Sequence, residues 1–337
     1  MTLRHHLERI GLLACALLAV VMLGFVGLYA LRDLPLLEPA YQQFRALGWW
    51  LDYYLGTNVF YHPFIWQSFA TGIFTGITAP LVGTYVVHRE MALVGETLAH
   101  AAFAGVALGL VLSGLTGWTG SLLLVALVVG IVGALGVQWL AERTSTYGDV
   151  PIAIVLSGSF AVGTLLVSWG RTIATVPIDI EGILFGNIGI VTPTGTRLMA
   201  AITLFVVIAI AVTYKQLLFI TFDEQAARVA QLSVDRYNTA LIVMTAIVVV
   251  GALQILGVIL VAAMLVIPVA AASQVATSFT ETQYLAVLFG ELAVILGFAI
   301  SIASELPTGG TIVVVAIAIY LLAVTSSTHA TAPLSAR

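Results

Sequence analysis

Apolar residues run through this chain in long blocks separated by short polar joints, and most blocks are long enough to cross a membrane. A bilayer's hydrocarbon core takes about 20 helical residues to span. Blocks near that length lie at 10–31, 64–87, 91–113, 118–140, 150–170, 196–214, 238–254, 256–274, 284–304 and 310–326. The pattern predicts an all-α polytopic membrane protein, a bundle of about ten transmembrane helices. The first block follows Arg4 and Arg9 and exceeds the roughly 7 to 15 residues of a signal-peptide core, so it predicts a retained helix. Behind it come Trp49, Trp50, Tyr53, Tyr54, Phe60, Tyr61 and Trp66, the composition of a segment lying at the membrane–water boundary. Three regions follow: an N-terminal extension over 1–60, a transmembrane domain over 61–326, and a tail over 327–337.

Composition narrows the class. Charged residues make up 8% of the chain, where a soluble domain carries about 25%. With a net charge of −4 and no basic run, a nucleic-acid partner is excluded. Cys15 is the only cysteine, so there is neither a disulfide framework nor a thiolate metal site. Lys215 is the only lysine and no glycine-rich loop precedes it, so the chain has no P-loop; if ATP drives this protein, another subunit binds the nucleotide.

Basic residues between the blocks set an orientation. With the N-terminus inside, Arg4, Arg9, Arg89, Arg143, Lys215, Arg228, Arg236 and Arg337 are cytoplasmic, against Arg32, Arg45, Arg171 and Arg197 outside. The long charged joint at 215–237 is then cytoplasmic, as are both termini. Gly72 with Gly76, and Gly105 with Gly109, have the spacing that lets membrane helices approach closely. Pro268 predicts a kink in the 256–274 block.

Three charged features are candidates for chemistry. Glu96 and His100 sit one helical turn apart inside an apolar block, with His100 expected near mid-membrane. Burying such a pair costs several kcal/mol unless something neutralises it. A carboxylate and a neutral imidazole suit zinc, manganese or iron(II), and a structural hydrogen-bonded pair is the alternative. Near the expected external mouth lie Asp179, Glu181 and Glu305, which would attract cations there. Glu291 lies deeper, with no partner evident from sequence. The third feature, TFDEQAARVAQLSVDRY at 221–237, reads as a short amphipathic helix whose apolar side holds Phe222, Ala226, Val229 and Ala230. It would either dock on a soluble partner or lie on headgroups.

From about Gly72 to Leu322 the chain resembles the membrane permeases of ABC importers for zinc, manganese and iron(II). The resemblance rests on an ordered series: LVGTYVVHREMALVGETLAHAAFAGVALG at 81–109, LFG then VTP at 184–193, FDEQAARVA, LGVILVAAMLVIPVAAA at 256–272, and ELPTGGTIVV at 305–314. It implies a permease half that assembles as a homodimer with two ATPase subunits and receives metal from an extracellular metal-binding protein. It carries the translocation-path role onto Glu96 and His100 and acidic mouth positions onto Asp179 and Glu305. It also makes 221–237 a cytoplasmic coupling helix, with Phe222, Asp223, Glu224, Ala227 and Arg228 as partner contacts. Zinc, manganese or iron(II) would be cargo, with no permanently bound cofactor, in a cell (cytoplasmic) membrane. The family usually has Asp where this chain has Glu96, and a Gly where it has Gln231.

Other classes fit less well. A proton- or sodium-coupled secondary transporter would also bury carboxylates, but no inverted repeat is visible. The ETLAH spacing is not the HExxH of an intramembrane metalloprotease. A cobalamin or siderophore permease would need no central carboxylate–imidazole pair.

Overall fold

The computed structural model of the chain describes residues 2–118, 120–143, 150–173, 180–187, 189 and 191–326. Among them are thirteen helices and no strand. They are α1 (Thr2–Ala30), α2 (Glu38–Leu55), α3 (Pro63–His88), α4 (Ala92–Thr116), α5 (Leu122–Arg143), α6 (Val150–Ile173), α7 (Ile180–Phe185), α8 (Pro193–Phe222), α9 (Glu224–Val229), α10 (Val234–Leu256), α11 (Val261–Val275), α12 (Phe279–Ser304) and α13 (Thr308–Ser326). Among the described residues nine are long and apolar enough to cross a membrane: α1 from Ile10, α3, α4, α5, α6, α8, α10, α12 and α13. Their positions follow the apolar blocks because a spanning helix must pair every backbone group internally and show lipid an apolar surface.

The block at 256–274 departs from expectation. Its helix, α11, has only 15 residues and is about 22 Å long, too short to cross the core alone. The interruption lies ahead of Pro268, at Gly257, with φ 75° and ψ 166°. A Cβ there would come within 2.4 Å of the Leu184 carbonyl oxygen and the Gly186 nitrogen. The chain turns sharply at the one residue type that tolerates both the dihedral and the contact. The α11 helix itself continues through Pro268.

α3 and α10 form the centre of the bundle, whereas α1, α5 and α6 have most of their surface uncovered. The two small-residue pairs become two seams. A Cβ on Gly72 would meet Val294, and one on Gly76 would stand 3.3 Å from the Glu291 backbone, so this pair seats α3 on α12. A Cβ on Gly105 would approach Ala126 to 2.6 Å and one on Gly109 would touch Leu122, so the second pair seats α4 on α5.

Three of the sequence motifs meet at one end of the bundle. The Val258 amide donates to the Ile183 carbonyl (3.1 Å) and the Ile259 amide to the Leu184 carbonyl (3.2 Å). Gly309 completes the knot, since a Cβ there would be 2.2 Å from the Leu256 carbonyl oxygen and 2.4 Å from that of Phe185. LFG, LGVIL and PTGG are thus the three sides of a single backbone junction joining α7, α10, α11 and α13.

The N-terminal extension is anchored at that same end. Phe25 of α1 stacks on Phe44 of α2 at 4.7 Å, and Phe44 meets Trp66 of α3 edge-on at 4.8 Å. Trp49, Trp50, Tyr53 and Tyr54 stay exposed, as a boundary belt requires. Asp52 holds the α2–α3 connection. It is buried and accepts hydrogen bonds from the Thr57 hydroxyl (2.7 Å) and the amides of Val59 (2.9 Å), Phe60 (2.9 Å) and Tyr61 (2.7 Å). Burial opposes its ionisation, but these donors outweigh that and hold the carboxyl below its usual range.

Candidate functional site

Helix α4 begins after a tight joint in which Glu90 takes φ 59° and the Met91 amide returns to the Val86 carbonyl (2.9 Å). The apolar sequence from Ala92 then continues as one helix, with Gly95, Gly105 and Gly109 turned toward α11 and α5. This leaves Leu93 and Glu96 exposed on the opposite side. His100, one turn beyond Glu96 and within its electrostatic range, is half-buried. Its ring meets Phe160 of α6 edge-on at 4.9 Å, and its Nδ1 is buried without a hydrogen-bond partner. At helical rise His100 lies about 12 Å along a helix of about 37 Å, a third of the way in from the 89–91 joint rather than at its middle.

The pair therefore sits on an outward face of one chain, not in its interior. A charged residue facing hydrocarbon is penalised, less near a helix end than at the bilayer centre, so this surface suits water better than lipid. Among the described residues, no group of three His, Cys, Asp or Glu side chains is placed to hold a metal ion.

Glu305 belongs to the other end. It closes α12 with φ 55° and lines a cavity of about 490 Å³ together with Val59, Asn187, Ser301 and Thr308. Its carboxylate is exposed, as attraction of ions from water requires. The structure thus separates Glu305 from Glu96 and His100 by most of the bundle. Asp179 lies outside the described residues. Glu181 falls within α7, beside the same cavity's Gly182. Glu291 of α12 faces α1 and α3: it is 1% exposed, both its carboxylate oxygens lack a hydrogen-bond partner, and the Cys15 thiol is within its electrostatic range.

The 221–237 segment differs in detail from a continuous amphipathic helix. α8 runs on to Phe222, Asp223 caps α9 by accepting from the Ala226 amide (2.8 Å), and α9 stops after six residues. A turn through Gln231 at φ 60° leads into α10. The residue that packs inward is Ala227, against Ile220 and Val234. Phe222 and Val229, expected on the apolar face, are 64% and 84% exposed. Arg228 binds Glu224 (2.8 Å) and Asp235 (2.9 Å), which ties α9 to the start of α10.

Arg89, by sequence only one of the cytoplasmic basic residues, joins three elements. From the α3–α4 joint its Nε donates to the Thr221 hydroxyl (3.0 Å) and one terminal nitrogen donates to the Asn238 amide oxygen (2.6 Å). Burial lowers its pKa, with nearby Glu224 and Tyr85 acting the other way. Beside it, His88, Phe222 and Phe279 form an aromatic cluster with centroids 5.0 to 6.3 Å apart. The sequence signal for Arg89 was its place in the HREM motif.

With the helices placed, comparison with known proteins is decisive. The model of the ABC 3 transport family matches residues 61–327. The chain belongs to that family. A "Probable metal transport system membrane protein" of Treponema pallidum (strain Nichols) is 30% identical over 263 residues, covering 78% of this chain and 95% of the relative. "Manganese transport system membrane protein MntC" of Listeria innocua serovar 6a is 31% identical over 262 residues, covering 78% and 90%. Among solved structures, "PsaBC from Streptococcus pneumoniae in complex with Fab" matches with a TM-score of 0.68 and 31% identity, over 77% of this chain and 90% of that one. For an ABC 3 member, the missing P-loop follows from a division of labour in which hydrolysis occurs on a separate ATPase subunit and this chain is the transport subunit.

Proposed function

We propose that this chain is the permease subunit of an ATP-driven importer, and that it carries a divalent transition-metal cation, manganese or iron(II) ahead of zinc, across the cytoplasmic membrane. Family membership and relatives named for metal and manganese transport support the class. The observation that carries the site is the Glu96–His100 pair, exposed on α4 with the His100 Nδ1 unpartnered. A carboxylate and an imidazole on an outward face make sense when a second copy stands opposite and water fills the gap. Two pairs then offer four mixed oxygen and nitrogen ligands, a set that suits manganese and iron(II) and also accepts zinc. Only two ligands per chain also keep the hold on the ion weak enough for release.

In this reading the end bearing Arg89, α9 and Arg236 is cytoplasmic, and both termini lie on that side. The Glu305 cavity opens outward to a metal-delivering protein, with Asp179 as a second acidic residue assisting entry. Residues 61–326 are the transport domain, 1–60 an extension carrying one extra helix, and 327–337 a tail. Phe222, Asp223, Glu224, Ala227 and Arg228 form the coupling segment: the exposed Phe222 and Val229 offer an ATPase apolar contact, and buried Ala227 fixes the turn.

The test is uptake into liposomes by the complete complex, with manganese, iron(II) and zinc in competition. Uptake should require ATP, favour manganese or iron(II), and fall at least tenfold in Glu96→Ala/His100→Ala protein that still assembles. Normal uptake by that variant would sink the site.

A further inference from the structure

Arg89 has one group left over. Its Nε and one terminal nitrogen are satisfied by Thr221 and Asn238, but the second terminal nitrogen is buried with no hydrogen-bond partner. Leaving a charged donor unpaired inside protein is costly, and such a group is relieved by any acceptor that comes within reach. The acid that acts on Arg89 electrostatically is Glu224, the first residue of α9. In the present arrangement Glu224 is held by Arg228 at 2.8 Å. Arg228, however, has a second carboxylate, Asp235, at 2.9 Å. If Glu224 left, Arg228 would remain paired while Arg89 gained its missing partner. The two arrangements hold similar numbers of charge-assisted bonds, which is the condition for a two-state element.

We propose that Glu224 exchanges between Arg228 and Arg89 during the transport cycle, and that this exchange ties movement of α9 to the start of the helix that carries Glu96 and His100. The inference rests on reading α9 as the segment that meets the ATPase. Its geometry supplies the connection. Arg89 is seven residues ahead of Glu96, and the joint between them is the tight turn through Glu90 at φ 59°. A pull on the guanidinium therefore acts on the first turn of α4. Arg89 is a positioning residue here, since it touches neither the path nor the cargo.

Charge exchange gives the test its specificity. Thr221 and Asn238 can each donate as well as accept, so both can turn to serve a carboxylate at position 89. The wild-type complex with its ATPase and binding protein is reconstituted in liposomes with manganese as cargo, and uptake per ATP hydrolysed is measured beside co-purification of the ATPase. Arg89→Glu should lower uptake per ATP at least tenfold while the ATPase still co-purifies, and Glu224→Gln should lower the ratio by as much. The fully inverted variant Arg89→Glu/Glu224→Arg/Arg228→Glu/Asp235→Arg rebuilds both pairings with the signs exchanged and should recover to within about threefold of wild type, whereas Arg89→Glu/Glu224→Arg, in which position 224 can pair only with position 89, should stay low. Asp235→Asn, which leaves Arg228 dependent on Glu224, should lower the ratio severalfold. Normal coupling in Glu224→Gln, a fully inverted variant no better than Arg89→Glu, or loss of ATPase co-purification with Arg89→Glu would each overturn the exchange. If the wild-type complex takes up no metal with ATP, the transport reading itself fails, which is a separate result.

Discussion

Among the described residues, three with side chains adopt the left-handed backbone that glycine prefers: Glu90, Gln231 and Glu305, with φ of 59°, 60° and 55°. All three are at helix joints, and two flank features given a transport role above. Gln231 explains a difference seen in the sequence, because the resembling family's Gly at this place avoids a strain that glutamine accepts. Gln231→Gly should raise the detergent-solubilised protein's stability by up to about 1 kcal/mol, seen as a higher unfolding midpoint. Glu305 allows strain and charge to be separated. Asn tolerates the left-handed region but has no charge. Glu305→Asn should therefore keep or slightly raise the midpoint while slowing uptake at low metal concentration, and Glu305→Asp, which tolerates the same backbone and keeps the charge, should keep the midpoint without that loss of uptake. A lower midpoint in Glu305→Asn would mean that its carboxylate is bound within the fold.

At the scale of elements, the clearest dependence on one side chain is the α2–α3 connection around Asp52. Its folded pKa is held below the usual carboxylate range, so the stability it contributes is fully present above that range. It is lost as pH falls through the depressed value, because the unfolded chain binds the proton more readily. Asp52→Asn should flatten this acid limb and loosen the connection at neutral pH, read as faster proteolysis or amide exchange over residues 56–62 in wild-type and variant protein. Equal protection in the two proteins across the acid range would refute it. Asp52 was invisible in the sequence because its four donors are mostly backbone amides, which carry no residue signature. The long helices were legible because the bilayer imposes length and apolarity together, and the Gly72/Gly76 and Gly105/Gly109 seams were legible because close approach needs small residues at fixed spacing. The break at Gly257 was not, since composition stays apolar across it and only a dihedral marks it. The inward packing of Ala227 was likewise not legible, because a helix of six residues is too short for periodicity to single it out from its neighbours. Glu96 and His100 could be named as a pair, but nothing in a linear sequence says whether a helix face points inward or outward.

For the whole molecule, that outward direction is the central fact. Among the described residues, a bundle centred on α3 and α10 buries the Glu291 carboxylate between its ends and places Glu96 on the surface of α4. Either that surface meets lipid, where a charged side chain is penalised, or it borders water enclosed by a second subunit. The lone native cysteine makes the choice measurable. In a Cys15→Ala background, a cysteine at position 96 should react with a small, charged, water-soluble thiosulfonate, and manganese should slow the reaction through the neighbouring His100. A cysteine at Val212, 74% exposed on α8, should stay unreactive because it meets hydrocarbon. Reactivity at 96 should further change when ATP is trapped on the partner subunit, since alternating access opens the water-filled face to one side at a time. Equal inertness at 96 and 212 would place α4 against lipid and move the path elsewhere in the bundle.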